Sequence, residues 1–140
     1  MKFRNHINIS LMGLIGSVLL VVSEFFSWFS NYSLIDLFII TSSVAIEDSF
    51  LFLFPIISGI VCLIANILVT YKFEYKIKSV IMSLVGLGFL LIFFFDYISR
   101  ELEYLSNAGA GFYLCVTGFL LNLFNLIIIL ITKDNTLDGN

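Results

Sequence analysis

The sequence predicts an all-α integral membrane protein, a left-handed bundle of four transmembrane helices joined by short loops. Three observations predict it. Hydrophobic residues make up 60% of the 140 residues and charged residues only 12%, against about half and about a quarter in a soluble domain. So few polar groups cannot cover a water-facing surface, and the excess apolar surface has to face lipid. The apolar residues are also gathered into four runs, each close to the roughly 20 residues that cross a ~30 Å hydrocarbon core at about 1.5 Å per residue. Finally, the chain left between the runs is too short for a separate soluble domain, so residues 1–140 read as one unit.

The first run covers about 7–28, INISLMGLIGSVLLVVSEFFSW, and follows Lys2 and Arg4. A basic start before an apolar stretch also fits a cleaved signal peptide, with Val21 and Ser23 as the small residues before a cut. Continuation of the run through EFFSWF into an aromatic belt favours a retained span. Cleavage would leave three helices, a difference that mass spectrometry of the purified chain detects. Next comes an unusually apolar loop, FSNYSLIDLFIITSSVAIEDS. Within it Ser33 and Asp36 have capping-box spacing ahead of LIDLFII, which predicts a short helix lying in the interface; a strand over FIITSSVAI is the alternative. Such a loop has more sticky surface than a linker needs, which predicts a partner or lipid contact, or folding back over its own bundle.

The second run, about 50–71, carries Pro55 in its first turn, where a missing N–H does little harm. A short basic turn, KFEYKIK, leads to the third run at about 79–98. A second loop ends in SNAGAG, which breaks any continuing helix before the fourth run at about 109–132.

Orientation follows from the Lys/Arg asymmetry of short loops. Lys2, Arg4, Lys72, Lys76, Lys78 and Lys133 fall on one side and Arg100 alone on the other, so both termini are expected in the cytoplasm, with the chain in a plasma or cell membrane. Acids collect on the outer side: Asp36, Glu47, Asp48, Glu101 and Glu103, with Glu24 and Asp96 near its edge.

Lipid tails are as apolar as leucine, so helix association depends on close packing of small residues and on interhelical hydrogen bonds. In the fourth run Gly111, Cys115, Gly118, Asn122 and Asn125 recur at steps of four and three, the 3.5-residue period of a left-handed seam, and Ile129 and Thr132 continue it. The first run has Ser10, Gly13, Ser17, Leu20, Glu24 and Ser27. The second has Ser58, Gly59, Cys62, Ala65 and Asn66; in the third, Ser79, Ser83 and Gly86 lead towards Phe89, Phe93 and Asp96. Asn66, Asn122 and Asn125 are expected to hydrogen-bond between helices, because turning them to lipid is costly; lining a polar pathway is the alternative.

Asp96 follows three phenylalanines about 25 Å along the third run, near the far end of a ~30 Å core. Arg100 lies one turn on, at the spacing that lets an acid and a base meet. Glu24 reaches the same height, about 25 Å from the start of the first run. Glu24, Asp96 and Arg100 are therefore expected to form an outer interfacial charge cluster, which either locks that end of the bundle or binds a cation or proton.

The layout, with four helices, both ends inside and a longer first outer loop, is similar to that of tetraspan families such as claudins. The likeness is one of layout, since the loop cysteines and the W…GLW…C…C pattern of claudins are missing around Trp28. Cys62 and Cys115 lie in apolar runs without C-x-x-C spacing and read as packing residues. His6 lies in the N-terminal segment, away from other ligand-type residues. With no metal-spaced ligand set, no phosphate-cradling glycine loop and no nucleophile–base pair, neither a cofactor nor an enzyme is expected. The basic residues give no nucleic-acid footprint. Two functions are expected of such a chain. One is an accessory subunit or self-assembling component, acting through helix and outer-loop contacts with a membrane-protein partner or its own copies. The other is a small oligomeric ion or proton transporter using Glu24 and Asp96.

Overall fold

The computed structural model describes residues 2–29, 31–99 and 107–132. The protein is all-α apart from one short β-ladder. Helix α1 covers Lys2–Ser23, and strands β1 (Ser27–Phe29) and β2 (Tyr32–Ser33) follow as an antiparallel pair, Ser27 opposite Ser33. Helices α2 (Leu34–Ser42) and α3 (Ile46–Ser49) run through a 3₁₀ turn at Phe50–Leu53 into α4 (Phe54–Tyr71). A second 3₁₀ turn, Phe73–Tyr75, leads to α5 (Lys76–Phe93), whose end widens into a π-helical turn at Phe94–Ile98; α6 is Ala110–Ile131.

Among the described residues, three helical stretches are long and apolar enough to cross a membrane: Ile46–Tyr71, Lys76–Asp96 and Ala110–Ile131; within α1 the stretch found is the shorter Ser10–Ser23. Outward-facing side chains such as Ile15, Ile64, Leu84 and Phe124 are exposed on all four long helices. An apolar outside of this extent is what hydrocarbon solvent permits and water does not.

Helix α1 packs on α4 and on α6, α4 packs on α5, and α5 meets α6 less closely. Successive long helices run in alternating directions. Ser10 in the first half of α1 meets Thr70 at the end of α4, and Lys76 at the start of α5 donates to the Thr132 carbonyl that closes α6. That ammonium sits where the orphan carbonyls of a helix C-terminus favour a cation. The lysines of this turn thus mark one end of the assembly.

The inward faces match the small and polar stripes. Gly111, Cys115, Gly118, Asn122, Asn125 and Ile129 are buried on α6, and Ser58, Gly59, Cys62, Ala65 and Asn66 on α4. On α5 the buried line is Ser79, Ser83, Gly86, Leu87, Leu90 and Phe93. Phe89, expected on that line, is only half-buried and turns its ring edge onto Phe54 at 5.6 Å. Helices α1 and α6 approach closely: a Cβ on Gly118 would lie 2.7 Å from the Gly16 carbonyl oxygen, and one on Gly16 3.0 Å from that of Gly118. Only small residues allow helices this close.

The first apolar run departs from expectation. Instead of continuing to Trp28, helix α1 stops at Ser23, and the amides of Glu24, Phe25 and Phe26 turn back onto the Val21, Val22 and Ser23 carbonyls. The cause is Trp28. Its indole N–H donates to the Ser23 carbonyl at 2.8 Å, and the ring is fully buried with its edges against Phe93 and Phe112, at 5.4 and 5.9 Å. The fold-back buries a large ring and pairs its polar tip, a gain that a straight helix reaching into the interface would forgo. Gly111 leaves room for it, since a Cβ there would overlap the indole.

Candidate functional site

Two polar groupings lie inside the helices. The first is a seam in the lysine-bearing half, where α1, α4 and α6 meet. Asn66 Nδ2 donates to the Cys62 carbonyl at 2.8 Å and faces Ser17 Oγ at 3.1 Å and Asn122 Oδ1 at 3.2 Å. Its Oδ1 accepts from Asn125 Nδ2 at 2.6 Å. Ser17 Oγ in turn stands 2.8 Å from the Gly13 carbonyl and 3.1 Å from Asn122 Oδ1, and Asn122 Nδ2 donates to Gly118 O at 2.9 Å. One turn nearer the lysines, Ser10 meets Thr70, which donates to the Asn66 carbonyl at 2.8 Å. Each asparagine thus ties its own helix to a second one, and nearly all of their polar atoms are matched. Asn125 Oδ1 is the exception, buried without a hydrogen-bond partner among the described residues.

The second grouping is at the opposite end, where α1 stops. Glu24 follows the last residue of α1 and is 0% exposed. Neither carboxylate oxygen has a hydrogen-bond partner among the described residues. The backbone N–H of Ile56, in the first turn of α4, faces the carboxylate without closing a hydrogen bond. Cys115 of α6 lies within electrostatic reach of Glu24 and has the Ser23 hydroxyl beside it. The rest of this region is apolar: Leu20, Trp28, Leu34, Leu90, Phe93 and Cys115 form one buried cluster, with Leu37, Leu51, Phe52, Phe54 and Phe112 packed against it. Leaving a carboxylate charged and unpaired in such surroundings costs several kcal/mol, roughly what removing one partner of a buried ion pair costs. Its charge has to be compensated, by a proton or by a cation.

Asp96 sits half-buried in the π-helical turn at the end of α5. Since the Glu24 oxygens accept no hydrogen bond, none joins the two acids. Arg100, the third member of the expected cluster, lies outside the described residues, as do Glu101, Glu103 and Lys133. The seam of Asn66, Asn122 and Asn125 is drawn together; between Glu24 and Asp96 no direct bond forms. Sequence reasoning placed Ser17 on the inward stripe without seeing that its hydroxyl joins the asparagines. It also missed Cys115 and the Ile56 N–H as neighbours of Glu24, and the burial of Trp28. The signal for Trp28 was the glycine pair Gly109 and Gly111: the Gly109 amide donates to the Trp28 carbonyl at 2.7 Å, and both glycines lie against the Ser27–Trp28 segment.

Outside the long helices, the apolar loop forms a rigid short helix. Ser33 and Asp36 close a full capping box on α2: Asp36 N donates to Ser33 Oγ at 3.3 Å, and Ser33 N donates to Asp36 Oδ2 at 3.1 Å. The Ser33 hydroxyl also donates to Asp36 Oδ2 at 2.8 Å, and together with the Ser33 amide it holds that carboxyl below the usual carboxylate range. Among the described residues no group of three His, Cys, Asp or Glu is gathered as a metal site would require. Comparison with protein-family models, with curated proteins and with solved structures finds no match to this chain.

Proposed function

We propose that this is a tetraspan membrane protein, a four-helix bundle with left-handed packing, which acts without catalysis as an accessory subunit or self-assembling component. In this reading α1 makes the fourth crossing, in the first turns of the chain and beside α4 and α6, with both termini in the cytoplasm. One observation carries the functional part. The buried polar side chains of the lysine-bearing half are almost all matched to one another across helices, which leaves contact surfaces, and not an interior reaction site, as the means of action. The test is purification in a gentle detergent followed by mass spectrometry. A stoichiometric membrane-protein partner, or a discrete homo-oligomer, is expected. A monodisperse monomer without a partner overturns the reading.

A second reading is favoured by Glu24, whose buried carboxylate has no hydrogen-bond partner among the described residues. Ionisable groups inside membrane proteins are rare and mark ion pathways and proton relays. On this reading the chain forms a small oligomeric transporter with Glu24 as its carrier group and Asp96 near its mouth. Liposomes containing the purified protein would then pass protons or cations, and the Glu24→Gln variant, which keeps shape and removes the charge, would not. Liposomes no leakier than protein-free ones sink this reading.

A further inference from the structure

The loop between β2 and α4 presents a ridge of exposed apolar residues. Ile39 and Ile40 lie on α2, Val44 is 87% exposed just past its end, and Ile46 is 61% exposed at the start of α3. The ridge is anchored at several points. The capping box fixes the start of α2, Leu34 on its other face is fully buried and Leu37 packs on the core. Phe38 meets Phe50 at 6.4 Å, tying α2 to the 3₁₀ turn before α4. A surface already fixed in its bound shape loses little entropy on docking. Asp36 stands at one end of the ridge and Glu47 and Asp48 at the other, all three exposed.

Three occupants are conceivable, and charge separates them. Helices that lie on a bilayer carry lysine or arginine on their polar face, which binds anionic headgroups. Here no lysine or arginine occurs anywhere between Arg4 and Lys72, and the ridge is flanked by acids. A second copy docking through the same patch would bring its acids against these acids, because a two-fold interface uses one patch on both copies and both ends of this one are acidic, and like charges so placed cost several kcal/mol. An apolar centre with an acidic rim is complementary to an apolar centre with a basic rim. We propose that the Ile39–Ile40–Val44–Ile46 ridge docks a segment of a different protein, apolar at its centre and flanked by lysine or arginine. This rests on the accessory-subunit reading above and specifies the chemistry of the partner.

The test places a photoreactive benzoylphenylalanine at Val44, irradiates intact membranes, and maps the cross-linked peptide by mass spectrometry. The same is done in a Glu47→Lys/Asp48→Lys background, with elution as the same species serving as the check on folding. Expected is an adduct to a peptide with an apolar core and basic flanks, its yield falling about tenfold on charge reversal. Replacing the flanking basic residues of that peptide by glutamate should restore it. Adducts to lipid alone, to a second copy alone, or to a protein whose yield ignores the charge reversal each overturn the proposal. If these occur while a stoichiometric partner still co-purifies, the docking surface is wrong and the accessory reading stands; if no protein associates at all, both fall.

Discussion

Asn66 stands where three helices meet, and its amide is the group that joins them. It bonds within α4 through Cys62 O and reaches α1 through Ser17 and α6 through Asn122 and Asn125. Interhelical hydrogen bonds in lipid are individually modest, averaging about 0.6 kcal/mol, because the separated helices find other partners. Several share this one residue, so Asn66→Ala is expected to destabilise the protein by about 1–2 kcal/mol, measured by reversible unfolding in mixed micelles. An unchanged midpoint would mean that the asparagines are satisfied independently of one another. Asn66 was legible as an inward residue from its place beside Ala65 and Cys62. Its choice of partners was not, since Ser17, Asn122 and Asn125 are brought to it only by the packing of α1 and α6.

At the scale of an element, α2 shows how much a local motif decides. Nine residues are too few for a helix to hold in water on propensity alone. The Ser33–Asp36 box satisfies amides that the first turn leaves without partners, and Leu34 anchors one face. The ionised Asp36 carboxylate is the form that accepts these bonds, so its folded-state pKa lies below its ordinary 3.8. Its contribution is therefore complete above about pH 4 and is lost as the pH falls through the lower folded value. Hydrogen-exchange protection of the α2 amides should be flat from neutral pH to about 4 and then drop, after correction for intrinsic exchange. Ser33→Ala should weaken it at every pH. Protection that persists at pH 2 would show that packing of Leu34 and Leu37 suffices. This element was readable in advance because the capping signal is local. Where α1 stops was not, because Trp28 leaves the helical path only by virtue of Phe93, Phe112 and Gly111, far along the chain.

For the whole molecule, helices α1 and α6 come close together at Gly16 and Gly118. Gly118→Leu drives a side chain into the Gly16 carbonyl and Leu20, and overpacking of this kind costs about 1–3 kcal/mol or separates the helices. The expected result is a lowered unfolding midpoint or loss of the compact species on gel filtration. By contrast, the same measurement on Leu120→Ala, an outward residue of α6, should show little change, because its surroundings outside the protein are as apolar as the side chain removed. Equal effects of the two substitutions would contradict the assignment of inward and outward faces.

By itself, the sequence determined that the chain is helical and apolar enough for a bilayer, which faces turn inward, and where α2 begins; it read four crossing runs, of which three stand among the described residues as long and apolar enough. All of these depend on length, period and near neighbours, and lipid strengthens the signal by leaving small and polar residues nowhere else to go. Only the tertiary structure decided that Trp28 folds back over the end of α1, that Ser17 and the asparagines share one network, and that Glu24 is enclosed without a hydrogen bond from the described residues. Those outcomes depend on which side chains from distant helices arrive at the same depth, and periodicity within a single helix carries no record of that.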